Sequence, residues 1–216
     1  MNKIEFIPLI EPATKKDKES ESVPSGSSLN NLAEWDKYHK QEINKNYSNF
    51  PNPISNGIYQ YRLFDIDIED IEKVINLHIG DTNINESISL FGGYAISQNG
   101  IIELFPQCCG LLEEIKTWKN ILQEDFQDFY LKECHPSPLI TKKGSEIIIY
   151  CKDDFETFMP MTTKQEIILD YNETKTALIA VLNDLTNYST ELNKISNRFE
   201  TENLAEIMIW GKNENG

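Results

Sequence analysis

Two β-prone runs joined by a tight turn within residues 87–106 constrain the fold of this chain most strongly. Tyr94 and Ile96 lie on the first run, the sequence Asn99-Gly100 follows, and the second run begins at Ile101. Asn-Gly is the preferred pair for a two-residue hairpin turn, because both of its positions require a positive φ. The pattern therefore predicts an antiparallel hairpin.

A second hairpin is predicted over residues 139–151, with its turn at Lys142-Lys143-Gly144 and a β-branched return run, Ile147-Ile148-Ile149. No crossover helix separates the strands of either hairpin, and the helical patterns come in blocks around them. Parallel sheets require such crossovers. The sequence therefore predicts an α+β fold, in which an antiparallel sheet is built from hairpins and helices pack on it.

Helical periodicity fills much of the remaining chain. Amphipathic helices are predicted from Ser28, whose hydroxyl can cap the first turn, to Ile43, and over residues 67–77 and 111–123. A half-buried strand is predicted over residues 58–64. A long C-terminal helix is predicted because apolar residues recur in six steps over 21 positions, a mean of 3.5, at Leu178, Leu182, Leu185, Tyr188, Leu192, Ile195 and Phe199.

The N-terminal part of the chain contains two kinds of sequence. Residues 1–10 form a short β-prone segment, whereas residues 11–28 are mostly Lys, Glu, Ser, Pro and Gly with almost nothing to bury, which is typical of a flexible linker. We therefore expect residues 1–28 to form an N-terminal strand and flexible linker. Residues 29–216 are expected to form a single α+β domain that includes the C-terminal helical segment.

The charge balance excludes several classes of function. The 216 residues include 35 acidic and 20 basic side chains, a formal net charge of −15, and 39% of them are hydrophobic. This charge repels nucleic-acid phosphates and provides no polybasic face for a membrane surface. No apolar run approaches the ~20 residues of a membrane span, and the first ten residues lack the features of a signal peptide, so we expect a soluble cytoplasmic protein.

The basic residues are 18 Lys and only two Arg, and the chain also contains 21 Asn and 28 Ile. Lys, Asn and Ile are all encoded by AT-rich codons. This bias indicates an AT-rich bacterial source rather than a functional requirement.

The chain has four Cys and three His, and four of these residues form a candidate ligand set, namely Cys108, Cys109, Cys134 and His135. Such a set can hold zinc tetrahedrally, and vicinal cysteines before a helix N-terminus can be reactive because the helix dipole lowers a thiol pKa. Zinc sites usually separate paired cysteines by about two to four residues, however, and adjacent side chains in an extended chain point to opposite sides. A small metal- or thiol-dependent enzyme and simple packing of small apolar side chains both remain open.

No motif for phosphate binding, dinucleotide binding, a nucleophile elbow or a zinc protease occurs in the sequence. The absence of these motifs lowers the expectation of an enzyme. We assign no catalytic residue and no cofactor.

Acidic residues cluster at positions 65–72, 113–128 and 153–156, and aromatic residues such as Phe155 are interleaved with them. An acidic face with aromatic anchors suits the capture of a basic protein, because the charge steers association and the rings supply buried contact. The predicted partner-binding residues are Glu113, Glu114, Trp118, Glu124, Asp125, Asp128, Asp153 and Asp154. The alternative is that the aromatic rings belong to the core, as the apolar period over residues 111–123 indicates for Trp118, and that the acidic residues only keep the protein in solution.

The run from Gly92-Gly93-Tyr94 through Ile101 to Cys108-Cys109-Gly110 and Trp118 resembles a segment of poorly characterised bacterial proteins. Some of those proteins are regarded as immunity proteins of polymorphic toxin systems. The similar segment covers about thirty of the 216 residues. The resemblance implies a cytoplasmic antidote that binds and blocks a toxin, and it transfers no catalytic residue.

The leading hypothesis is therefore a non-enzymatic, acidic bacterial binding protein, an immunity-type inhibitor of a basic toxin. A small enzyme centred on Cys108 and Cys109 is the second hypothesis. The third is a self-associating module in which the long C-terminal helix pairs with its copy in a homodimer, through residues that include Tyr188 and Leu192.

Overall fold

The computed structural model describes residues 3–15, 23–26, 30–132, 134–161 and 164–212. The predicted helix cap Ser28 lies outside these residues. The strands are β1 (Ile4–Ile10), β2 (Tyr61–Arg62), β3 (Gly92–Gln98), β4 (Ile101–Leu104), β5 (Phe129–Tyr130), β6 (Leu139–Lys143), β7 (Glu146–Tyr150) and β8 (Glu166–Asp170). The α-helices are α1 (Leu32–Asn46), α2 (Ile68–Ile79), α3 (Ile115–Trp118), α4 (Tyr171–Asn193) and α5 (Leu204–Met208).

Two four-stranded sheets form the framework of the fold. The strand order is β2-β1-β3-β4 in the first sheet and β5-β6-β7-β8 in the second. Neighbouring strands are antiparallel in both sheets. One apolar core contains side chains from both sheets and from the helices. The predicted α+β class with antiparallel hairpins is confirmed, although the strands form two sheets rather than one.

Both predicted hairpins are present. β3 and β4 are joined by Asn99, with a φ of 55°, and Gly100, with a φ of 81°. This is the positive-φ pair that the Asn-Gly signal predicts. β6 and β7 pair along five residues each and are connected by a turn that contains Gly144, with a φ of 61°.

β1 lies between β2 and β3 in the first sheet. It pairs with β3 along all seven of its residues, whereas β2 pairs only with Leu9 and Ile10. Successive side chains of a strand point to opposite faces. Phe6 accordingly joins the main core, and Ile7 joins a small second cluster. The N-terminal strand is thus integral to the first sheet, and the separate assignment of residues 1–28 stays a prediction.

α4 is the predicted long C-terminal helix, but it ends at Asn193, so that Ile195 and Phe199, the last members of the apolar period, lie beyond it. It begins before that period does, because the Asp170 carboxylate caps it by accepting a hydrogen bond from the Glu173 N–H at 2.9 Å. The helix lies along β1 and α5, and Leu185 and Leu192 are fully buried there. Leu192 of the stripe proposed to pair with a second copy is therefore buried within the chain, whereas Tyr188 is only partly buried, and the homodimer stays a prediction. No helix in the described ranges is long and apolar enough to cross a membrane.

Other elements differ from the sequence predictions in length or type. The strand predicted over residues 58–64 is limited to Tyr61–Arg62, since a 3₁₀ turn follows at Leu63–Asp65. The helix predicted over residues 111–123 is a succession of 3₁₀ and α turns around Ile115–Trp118. β5 and β8 were not predicted, because two and five residues give too short a pattern to distinguish a strand from a loop.

Trp118 is the largest fully buried side chain and defines the first stability test. Its ring packs edge to face on Phe6 and Phe129, at centroid distances of 5.2 and 5.9 Å. We expect Trp118→Ala to lower the free energy of unfolding by about 3–5 kcal/mol, because it leaves a cavity in the core. Urea denaturation followed by circular dichroism measures this change.

Ile179→Ala provides the matched control, because Ile179 is 48% exposed on α4. Its expected effect on stability is below about 0.5 kcal/mol. If Trp118→Ala changed stability as little as Ile179→Ala, the indole would not be packed as described.

Candidate functional site

The loop between β7 and β8 presents an aromatic ring to solvent. Phe155 is 96% exposed, the highest value among the large hydrophobic side chains of the described residues. Asp153, Asp154 and Glu156 beside it are also exposed. The ring has almost no packing within the chain, so its apolar surface is available to a second molecule. We call these four residues the 153–156 turn.

Local hydrogen bonds fix the backbone of the 153–156 turn. The Asp153 carboxylate accepts hydrogen bonds through Oδ1 from the N–H groups of Phe155, at 2.8 Å, and Glu156, at 3.0 Å. An aspartate that bonds its own backbone two residues later forms an Asx turn. Asp153 therefore holds the turn, while Asp154 and Glu156 keep their carboxylates for other partners.

Gln107 attaches the end of this loop to the first sheet. Its buried amide donates through Nε2 to the Met159 carbonyl oxygen at 2.9 Å and accepts from the Met159 N–H through Oε1 at 2.7 Å. The same Nε2 donates to the Phe105 carbonyl oxygen at 2.7 Å. No local sequence pattern indicates the role of Gln107, because its partner Met159 lies 52 positions away. We call the pair of hydrogen bonds to Met159 the Gln107 clamp.

The structure brings two predicted regions together around this loop. The His135 N–H donates to the Cys108 carbonyl oxygen at 2.9 Å. His135 Nδ1 also lies 4.0 Å from Glu156 Oε2. The 153–156 turn is consequently a neighbour of the cysteine region, which the sequence alone did not indicate.

The acidic stretch at 113–128 does not form one continuous surface. Trp118 is fully buried, and Glu114 is buried with its carboxylate accepting from the Leu111 N–H at 3.3 Å. These two predictions are corrected, because neither side chain faces solvent. Glu113 lies against Gly211. The predicted residues of this stretch that remain exposed are Glu124, Asp125 and Asp128.

The four predicted metal ligands do not converge on one point. Cys108 and Cys109 are exposed, whereas Cys134 is buried and donates its thiol to the Leu131 carbonyl oxygen at 3.3 Å. Across the residues that the structure describes, no group of three or more His, Cys, Asp or Glu side chains is arranged to hold a metal ion. The hydrogen bond with Cys109, followed by burial and by nearby carboxylates, raises the pKa of Cys108, which does not favour a nucleophilic thiolate.

A pocket of about 410 Å³ lies beside this region, between α1 and the segment that follows β4. His39, Tyr59, Gln60 and Cys108 are among its lining residues. The imidazole of His39 stacks on Tyr59 at a centroid distance of 3.5 Å. Within the described residues, Gln60 Oε1 is buried without a hydrogen-bond partner. Sequence periodicity placed His39 on a helix but did not indicate this pocket.

A separate groove of about 650 Å³ lies between the start of β1 and α4. Apolar side chains including Phe6 and Val181 line it, and charged residues including Lys3, Glu173 and Asp184 stand among them. It contains none of the residues that the sequence analysis selected.

No family model matches the sequence, and no curated protein or solved structure is significantly similar to it. Function has therefore to be inferred from the residues of this chain. The resemblance to immunity proteins stays a prediction.

The Gln107 clamp gives a test of how the loop is held. We expect Gln107→Ala to accelerate hydrogen exchange of the Met159 amide roughly tenfold, because that amide loses its acceptor. Exchange measured by NMR reports on this single N–H. Gln127→Ala, at an exposed position, is the control and should leave Met159 unchanged. Equal exchange rates in both variants would show that the clamp does not hold the loop.

His39 gives a second test, through pH. Burial lowers the pKa of His39, with Asp36 and Glu42 opposing this effect, so the folded protein favours the neutral ring. Below about pH 6.5 the unfolded chain therefore binds more protons than the folded one. The free energy of unfolding then decreases as the pH is lowered through this range.

We expect His39→Phe, which keeps a ring against Tyr59 but does not titrate, to lose less stability than the wild type as the pH falls from about 7.5 to 5.5. Urea denaturation at several pH values measures the difference. Burial also lowers the pKa of His78, but this residue is present in both proteins, so its contribution to the pH dependence of stability cancels in the comparison. Parallel pH profiles for the two proteins would contradict the burial of the imidazole.

Proposed function

We propose that the protein is an acidic, non-enzymatic binding protein of the bacterial cytoplasm that captures a basic protein partner. Its action would be that of an immunity-type inhibitor, which covers the active site of a basic toxin. The observation that carries this proposal is the 96% exposure of Phe155 on a loop whose backbone is fixed by Asp153 and Gln107. A backbone that is already fixed before binding reduces the conformational entropy that is lost on binding.

The ring and the carboxylates have different roles in the proposed complex. Full burial of a phenyl ring in a pocket of the partner contributes about 1.5–3 kcal/mol, a magnitude typical of an interface hot spot. Asp154 and Glu156 lie at the rim, where charges mainly raise the association rate and do so less at high salt. The net charge of −15 acts in the same direction at longer range.

The product of the reading frame adjacent to this gene is the partner to test first. We expect Phe155→Ala to weaken its binding about thirtyfold, measured by calorimetry, since about 2 kcal/mol of burial is lost. Ile179→Ala is the control because it also truncates an exposed apolar side chain, but on α4. Unchanged affinity of Phe155→Ala would refute Phe155 as the anchor.

The charges are tested separately by Asp154→Asn with Glu156→Gln, which leaves Asp153 to hold the turn. We expect the association rate to fall about tenfold at low salt and much less at high salt, with little change in dissociation rate. Glu124→Gln with Asp125→Asn removes the same charge from the other exposed stretch. If that control slowed association as much, steering would be a property of the whole surface rather than of the 153–156 turn.

Growth provides the functional readout. Co-expression of the wild-type chain should rescue cells from the adjacent gene product, and Phe155→Ala should rescue them poorly at equal expression. A neighbour that is not toxic and does not bind would refute the proposed inhibition.

A further inference from the structure

The vicinal cysteines occupy the two central positions of a tight turn. The Gly110 N–H donates to the Gln107 carbonyl oxygen at 3.2 Å, which closes a four-residue β-turn. Among these four residues, Cys109 has a φ of 65°, which lies in the left-handed region although the residue is not glycine. A positive φ at the third position is the mark of a type II turn, where glycine or asparagine is preferred. Cys109 thus occupies a turn position whose backbone conformation is unfavourable for most residues that have a side chain.

This turn conformation brings the two thiols to the same side. Adjacent side chains in an extended chain point apart, which was the expectation from the sequence. Here Cys108 Sγ and Cys109 Sγ are only 3.4 Å apart, and both residues are exposed. The turn therefore forms a two-thiol site that is open to solution.

The distance between the two sulfur atoms favours some kinds of bond or bound atom over others. A disulfide requires sulfur atoms about 2.05 Å apart and usually Cα atoms more than about 4.4 Å apart, whereas adjacent Cα atoms are about 3.8 Å apart. A linear two-coordinate ion with bonds of about 2.3 Å needs sulfur atoms about 4.6 Å apart. The observed 3.4 Å corresponds to an S–M–S angle of about 95° at that bond length, which suits a three-coordinate pyramidal centre.

We propose that Cys108 and Cys109 form a chelating site for a trivalent, thiophilic metalloid of the arsenic class. Trivalent arsenic is pyramidal and needs only two sulfur ligands from the protein, because its third position is filled by its own substituent. Tetrahedral zinc, by contrast, requires further protein ligands, and no group of three or more potential ligands is arranged for a metal within the described ranges.

The binding step is a condensation without electron transfer. With phenylarsine oxide as the probe, two As–S bonds form and two S–H bonds break. The two protons leave with the oxide oxygen as one water molecule, and arsenic remains trivalent.

Titration of the reduced full-length protein with phenylarsine oxide tests the proposal. We expect one arsenic atom per chain by elemental analysis and the loss of two titratable thiols. A dithiol competitor should release the arsenic, whereas a monothiol at the same thiol concentration should not. Cys108→Ser and Cys109→Gly should each weaken binding at least a hundredfold, and Cys109→Gly keeps a residue that suits the positive φ.

Cys151→Ala is the matched control, since it removes a buried thiol elsewhere and should bind like the wild type. The folded protein should also bind at least ten times more tightly than the urea-unfolded chain, because the turn preorganises the thiols. Binding that survives either single substitution, or that is equal in folded and unfolded protein, would overturn the proposal. Phe155 takes no part in this site, so that result would leave the proposed protein-binding function unaffected.

Discussion

The pairing of β1 with β3 is the interaction on which the rest of the structure depends. It aligns seven residue pairs and places Phe6 over Trp118 in the core. The two strands approach so closely at Gly92, where φ is 143°, that a Cβ atom would collide with the Leu9 carbonyl group. Gly92 also donates its N–H to the Gly110 carbonyl oxygen at 2.8 Å, so the sheet directly positions the segment that follows β4.

Two candidate sites depend on that segment. Gln107 begins the turn and holds Met159, which fixes the end of the loop that exposes Phe155. Cys108 and Cys109 form the centre of the same turn and face solvent. A disturbance of the turn would therefore reach the loop through Gln107, even though the thiols and the phenyl ring do not share a binding role. The first sheet, rather than either site, sets the geometry of both.

Sequence patterns predicted the parts of this fold that are determined locally. The Asn99-Gly100 pair specifies its own turn, and the period along α4 identifies Leu178, Leu185 and Leu192 as buried residues of that helix. The same patterns could not show what covers a given face. The period over residues 111–123 turns Trp118 towards the core, where it lies, but the acidic residues around it also made it a predicted contact residue. The Gln107 clamp joins residues that are remote in sequence. The two thiols lie on the same side of the turn because Cys109 has a positive φ, and no pattern of side chains in the sequence predicts that φ.

The short length of β2 has a consequence for solubility. Because β2 pairs only with Leu9 and Ile10, the described part of the chain supplies no partner strand for the preceding residues of β1 on that edge. Open strand edges can template aggregation between chains. Pro8 removes one N–H donor from the strand, the Lys3–Glu5 ion pair places charge at its start, and α4 flanks it. These features oppose intermolecular strand pairing while leaving the apolar residues of β1 free to build the core.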